Sequence, residues 1–162
     1  LPNRRAFETR FPQALGFAER GHRIALVLLD IDYFKRINDS HGHGVGDQVL
    51  LALAQTLTTL TRRADLSARL AGDEFAILLA DLDAAGVALW YQRLIDHFGG
   101  ELNALGLNLQ TGLSAGQTWL QGAPRDSLNQ ALARADRALY QAKERGRGQL
   151  VFDVPAGEPD AG

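Results

Sequence analysis

Ile24-Ala-Leu-Val-Leu-Leu-Asp-Ile-Asp32 is the stretch on which the fold turns. Its run from Ile24 to Ile31 is almost continuously apolar, which predicts a central strand covered on both faces. Strand side chains alternate, so Asp30 and Asp32 leave its end on one face, while Ile31 points away and leaves its carbonyl free. On the N-terminal side, Asn3 caps a predicted helix from Arg4 to about Arg20, with Phe7, Phe11, Leu15 and Ala18 at helical spacing and Gly21 as its stop. On the C-terminal side come a short helix around Phe34 to Asn38 and a glycine-rich turn from Ser40 to Gly46. An amphipathic helix from Asp47 to Leu60 follows, with Val49, Leu50, Leu53, Ala54 and Leu57 turned inward.

Farther out, Leu66 to Leu70 and Phe75 to Ala80 flank Ala71-Gly-Asp-Glu74 and predict a β-hairpin with carboxylates at its tip. Asp83 to Phe98 reads as a helix stopped by Gly99-Gly100. Leu107 to Leu120 reads as one strand or a pair of strands. Asp126 to Arg145 carries Leu128, Ala131, Leu132, Ala135, Leu139 and Ala142 on one helical stripe and ends at Gly146, and Gln149 to Phe152 is a candidate last strand. Val154 to Gly162, with its prolines, glycines and acids, reads as a disordered tail beyond a domain of residues 1–153. The order helix, strand, helices, hairpin, helix, strand, helix, strand predicts an α/β (α+β) fold, an elaborated ferredoxin-like central sheet surrounded by helices.

Composition narrows the function. The chain has 162 residues, 46% of them hydrophobic, enough to bury one domain core. No apolar run approaches the ~18 to 20 residues needed to cross a bilayer, so no membrane segment is expected in this chain. A formal charge of −2 argues against general nucleic-acid binding, and any phosphate site must be local. With no cysteine, thiolate metal ligands and disulfides are excluded. The start at Leu1 reads as that of a fragment of a longer protein.

The chemistry lies in the acids and in a few cations. Asp30 and Asp32 at one strand end, with Asp73 and Glu74 at a hairpin tip, form the kind of oxygen set that takes a hard divalent cation. Magnesium suits it, because magnesium keeps several waters and shares one or two carboxylates with substrate phosphates. A calcium loop fails on spacing, since Phe34 and Lys35 stand where an oxygen ligand and a glycine are required. Taken singly, these acids read rather as caps of turns and helices, and it is their combination that favours a cation site. Lys35 follows the acid pair, and Lys143 and Arg147 lie four apart at the end of the last long helix; each alone also reads as a solvated cation. His41-Gly-His-Gly-Val-Gly46 resembles a phosphate loop but follows a helix and lacks the Gly-Lys-Ser/Thr ending. No serine stands in a nucleophile-elbow pattern, and hydrolase chemistry has little support.

Five segments in register resemble the GGDEF domain of diguanylate cyclases. They are Leu1-Pro-Asn-Arg-Arg-Ala-Phe7, Asp30-Ile-Asp-Tyr-Phe-Lys-Arg-Ile-Asn-Asp39, His41-Gly-His43 with Gly46-Asp47, Arg69-Leu-Ala-Gly-Asp-Glu-Phe75, and Ala135-Asp-Arg-Ala-Leu-Tyr-Gln-Ala-Lys143 with Gly146-Arg147. The resemblance implies a fold similar to the palm of adenylyl cyclases and polymerases. It implies a reaction that joins two GTP into cyclic di-GMP with loss of two pyrophosphates, each domain of a homodimer holding one GTP, and hence a cytoplasmic setting. It further implies that Asp30, the Ile31 carbonyl and Asp73 bind magnesium, with manganese able to replace it. Asp73 would also stand near the attacking 3′-hydroxyl, supported by Glu74, and Arg69 would brace the hairpin or the transition state. Asn38 and Asp47 would read guanine, while Lys35, Lys143, Arg147 and main-chain amides around Phe34 and Gly72 would hold substrate. Arg62-Arg-Ala-Asp65 matches the family's inhibitory RxxD pattern for the product, with Arg93 as a second contact.

The chain departs from the family signature at Ala71, which stands where the first glycine belongs. Alanine there costs almost nothing if φ is negative, and crowds or strains the tip if φ is positive. A chain crippled at this point would be a non-catalytic module that binds GTP or cyclic di-GMP. Gly148 replaces the asparagine that commonly closes the last motif.

Overall fold

The computed structural model describes residues 1–109 and 111–153; the predicted tail, Val154 to Gly162, lies outside the described residues. The elements are α1 (Arg4–Glu19), β1 (Ile24–Ile31), α2 (Phe34–His41), α3 (His43–Leu60), β2 (Leu66–Ala71), β3 (Glu74–Ala80), α4 (Ala84–Ala104), β4 (Leu113–Trp119), α5 (Leu128–Glu144) and β5 (Leu150–Phe152). The strands form one sheet in the order β2-β3-β1-β4-β5, antiparallel except for the β4–β5 pair. From β1 to β4 the path is that of a ferredoxin-like βαββαβ unit, to which α1, α5 and β5 are added, so the expected fold class is borne out.

β1 lies at the centre, which explains its unbroken apolar sequence. Ala25, Val27, Leu29 and Ile31 face a core shared with Val49, Leu53 and Leu57 of α3 and Val87, Leu94 and Phe98 of α4. Ile24, Leu26 and Leu28 face the opposite core, closed by Phe7, Phe11 and Leu15 of α1 and Ala131, Ala135 and Leu139 of α5. The alternation puts Asp30 on the α1/α5 side, at the end of the strand. Among the described residues no helix is long and apolar enough to cross a membrane.

Four boundaries differ from the sequence reading. The stretch Leu107 to Leu120, expected as one strand or a pair, forms the single strand β4, Leu113–Trp119, with no strand among the described residues from Leu107 to Gly112. The glycine-rich turn shrinks to Gly42 alone, at φ 87°, and α3 begins at His43, because Gly44 and Gly46 take ordinary helical backbone. α4 runs through Gly99-Gly100 to Ala104. Each glycine costs a helix about 1 kcal/mol, and the burial of Phe98 and Leu102 on either side outweighs it. α5 starts at Leu128, where Ser127 and Gln130 form a reciprocal capping box, rather than at Asp126.

Asp126 instead anchors the loop before α5. Its two oxygens accept from Nη1 and Nη2 of Arg134 at 2.7 Å each, and Oδ2 also accepts from the Gln121 amide. The Asp126 side chain is 2% exposed. Burial pushes its carboxyl up, but the Arg134 hydrogen bonds, the Gln121 amide and the Arg134 charge together hold it below the usual carboxylate range. A lowered folded value contributes stability above the unfolded value, and that contribution is lost as pH falls through the folded one. Asp126→Asn is therefore expected to cost about 2 kcal/mol at pH 7 and to flatten the acid limb of a urea-unfolding stability profile below pH ~4.

Candidate active site

The site forms where β1 ends, beside the tip of the β2–β3 hairpin and the C-terminal turn of α5. Antiparallel pairing sets Asp30 opposite Glu74 on β3 and opposite Ser114 on β4. Asp73, one residue before Glu74, comes within hydrogen-bond reach of the Asp30 carboxyl. Burial, that hydrogen bond and the Asp30 charge push Asp73 up to about 7. Glu74 is raised as well, by burial and then by Asp30 and Asp136. Lys143 of α5 donates to Asp30 Oδ2, while Asp30 Oδ1 is buried without a partner. Asp30, Asp73 and Glu74 thus crowd together near Lys143, with Asp136 and Arg4 also acting on Glu74, an arrangement in which acids outnumber cations.

The hairpin tip consists of Gly72 and Asp73 between the paired residues Ala71 and Glu74. Only Gly72, at φ 44°, takes a positive φ there; Ala71 does not. A two-residue turn that needs glycine at its first central position needs none at the position before it, so the alanine is accommodated without strain. Arg69 donates through Nε to the Gly72 carbonyl at 2.7 Å and braces the tip from below.

Asp32 does not join this cluster. It accepts from Ser114 Oγ and, at 3.0 Å, from the Gly148 amide, which ties the end of β1 to β4 and to the turn after α5. Both partners come from chain segments remote from Asp32, so a reading of β1 alone could not separate its role from that of Asp30. Gly148 sits at φ 58°, a region open to glycine and, among other residues, chiefly to asparagine, which accounts for the exchange of these two types at this position.

The remaining candidates divide into three groups. Asn38 of α2 faces Gly46 of α3, and its Oδ1 is buried without a partner; Asp47 follows Gly46 and lines an open pocket of about 360 Å³ with Leu50, Arg69 and Phe75. Phe34 and the exposed Lys35 open α2, whose N-terminus no side chain caps, so its first amides remain available to an anion. Arg147 follows α5 at φ 63°, with its guanidinium 4.8 Å from the centre of the Tyr33 ring.

Arg62 and Asp65 lie at the opposite end of the hairpin. Asp65 has a fully buried carboxylate that accepts from Nε and Nη2 of Arg62 and from the Ala80 amide, pinning the start of β2 to the end of β3. The Arg62 side chain is about half exposed. Arg93 is exposed on α4 and, among the described residues, shares no hydrogen bond or ion pair with either. Sequence reasoning gave no role to Ser114, which lies in no motif, nor to Tyr33 and Asp136, which lie inside two of the matching segments.

The family described as "Diguanylate cyclase, GGDEF domain" matches residues 1–149. Diguanylate cyclase TpbB of Pseudomonas aeruginosa is 40% identical over 154 residues, covering 91% of this chain and 34% of that protein. Diguanylate cyclase DgcZ of Escherichia coli is 34% identical over 160 residues, covering 94% of this chain and 51% of its own length. The chain thus spans about a third to a half of these two relatives. Among solved structures, the GGDEF domain of DgcB from Caulobacter crescentus in complex with c-di-GMP superposes with a TM-score of 0.81 at 29% identity, covering 94% of this chain and 91% of that one. The active GGEEF domain of a Vibrio cholerae diguanylate cyclase superposes with a TM-score of 0.82 at 28% identity, covering 96% and 99%. A family match over residues 1–149, with the same fold in these solved structures, means that this chain belongs to the GGDEF domain family of diguanylate cyclases.

Proposed function

We propose that this domain condenses two GTP into cyclic di-GMP and two pyrophosphates, acting as a homodimer in which each copy presents one nucleotide. The observation that carries the reading is the Asp30–Asp73 pair. Two carboxyls within hydrogen-bond reach, one raised to about 7 and the other with a buried, unpartnered oxygen, make an anionic pocket that Lys143 neutralises only in part. Among the described residues no group of three His, Cys, Asp or Glu could hold a metal, so a cation here would rest on two carboxylates and the Ile31 carbonyl. That donor set fits magnesium or manganese, which complete their shells with water and phosphate oxygen. Such an ion would neutralise charge developing at the α-phosphate.

The chain's own residues supply the rest. The open α2 N-terminus, Lys35, Lys143 and Arg147 hold the β- and γ-phosphates, the leaving pyrophosphate. Lys143, now on Asp30, is free to shift to phosphate once a cation takes over that carboxylate. Asn38 and Asp47 accept from guanine, Asn38 through its orphaned Oδ1. Each 3′-hydroxyl oxygen then attacks the α-phosphorus of the other GTP and the P–O bond to pyrophosphate breaks. Asp73 and Glu74 stand at the tip to take the hydroxyl proton. A second copy is required because one site holds one nucleotide. Product binding at Arg62 and Asp65, with Arg93, belongs to the same reading. There Asp65 acts by orienting Arg62, whose exposed guanidinium remains available to phosphate or guanine.

The test is incubation of the chain at high concentration with GTP and magnesium, with chromatographic detection of cyclic di-GMP. Product supports the cyclase; GTP binding without product would make the domain a binding module. Within the active reading, Gly46→Ala is expected to raise KM for GTP about tenfold, because a Cβ at that position would fall 1.8 Å from Asn38 Oδ1 and displace the amide. Steady-state kinetics would check it, with kcat the lesser change.

A further inference from the structure

Tyr33 is a bulky residue in the left-handed region, at φ 57° and ψ 34°, directly before α2. Such a conformation is unfavourable for any side chain with a Cβ, and it persists here while leaving the ring 51% exposed. Two guanidiniums converge on that ring. The Arg36 guanidinium lies 4.4 Å from its centroid and that of Arg147 lies 4.8 Å away. Among the described residues neither arginine forms an ion pair. Arg147 is itself left-handed, at φ 63°, so two of the three non-glycine residues with positive φ among the described residues meet at this contact. Strain gathered at one point beside the open end of α2 marks a function rather than packing, since neither side chain contributes to a core.

We propose that Tyr33 is a positioning residue for the substrate's terminal phosphates, its ring face holding Arg147, with Arg36 beside it, in the orientation that grips them. This rests on the cyclase reading above and adds to it a residue whose side chain acts through Arg147 rather than on the substrate. The physical basis is the attraction of a cation to the negative face of an aromatic ring. The neighbouring carboxylate, Asp32, is committed to Ser114 and the Gly148 amide, so two guanidiniums on one ring without an ion pair leave a demand for an anion, and a polyphosphate at the α2 N-terminus meets it. The left-handed backbone at Tyr33 aims the ring across to Arg147; a residue free of that strain would not keep it there.

Three measurements test the assignment: KM and kcat for GTP, the inhibition constant of inorganic pyrophosphate, and the dissociation constant of GMP. For Tyr33→Gly the expected result is a two- to five-fold rise in both KM and the pyrophosphate inhibition constant, the range that corresponds to an exposed contact of this type. kcat should stay within about twofold, GMP affinity should be unchanged, and the thermal midpoint should be equal or higher because glycine relieves the backbone. Tyr33→Phe, which keeps the ring, should match the parent. Unchanged KM in Tyr33→Gly, an equal loss for GMP, or a Phe variant as weak as the Gly variant would each overturn the proposal. A parent chain that neither binds GTP nor forms product would overturn the reading beneath it, an outcome visible before any variant is made.

Discussion

Asp73→Asn is expected to lower cyclic di-GMP formation by at least about 10² to 10³-fold and, in the same molecule, to raise the thermal midpoint of the metal-free domain. The activity loss follows from removing one of two carboxylates that would hold the cation and one of two that can take the hydroxyl proton. The gain in stability follows from the sign of its titration. Burial, followed by the hydrogen bond and charge of Asp30, raises Asp73 to about 7, whereas its value in the unfolded chain is ~3.9. Between those values the folded state binds the proton and the unfolded state does not, so stability falls as pH rises from about 4 to about 7. Above about 7 the whole penalty stands. Asparagine removes it, so the variant should melt a few degrees above the parent at pH 8 and close to it at pH 4, solvent screening of this partly exposed pair limiting the gap. Scanning calorimetry in metal-free buffer at the two pH values, beside chromatographic assay of product, checks both halves. Magnesium added at pH 8 should raise the parent's midpoint more than the variant's.

Gly116→Val is expected to unfold the domain. Gly116 lies on β4 directly beneath α5, where an added Cβ would meet the Leu139 nitrogen at 2.2 Å, the Ala135 carbonyl oxygen at 2.3 Å and the Ala138 carbonyl carbon at 2.8 Å. These are backbone atoms of a helix, and they cannot yield singly. The helix would have to lift from the sheet, giving up the contacts of Ala131, Ala135, Ala138, Leu139 and Ala142, all buried against it. Overpacking of this kind costs more than the usual 1 to 3 kcal/mol, and a loss above about 4 kcal/mol is comparable with the whole stability of many domains. Far-ultraviolet circular dichroism and soluble yield would read the outcome. Gly99→Ala on α4 supplies the contrast. No heavy atom lies within 4 Å of a Cβ there and its backbone is helical, so that variant should gain about 1 kcal/mol. The consequence reaches the chemistry, because α5 is also the element that carries Lys143 onto Asp30.

Much of the molecule was legible along the chain because local physics decided it. The run from Ile24 to Ile31 had to be a strand buried on both faces, Gly21 had to end α1, and Gly72 had to make the turn of a hairpin with acids at its tip. The candidate acids and phosphate-binding cations were legible for the same reason, as residues whose types and spacing match a known pattern. Other features needed the third dimension. Two glycines in a row predict a helix stop, yet α4 continues, since the burial of Phe98 and Leu102 exceeds a propensity cost that sequence can register by itself. Asp30 and Asp32 are equivalent in a strand pattern, and only the arrival of Ser114 and Gly148 commits Asp32 to structure while Asp30 keeps an unpaired oxygen. Ala71 was a question of one dihedral angle, answered by where the turn falls. The Tyr33–Arg147 contact joins residues 114 positions apart, with no periodicity to announce it. Propensity and alternation are properties of neighbours in the chain and can be read from it; proton affinity, close approach and strain belong to neighbours in space, and those exist only once the sheet has brought the end of β1, the hairpin and α5 together.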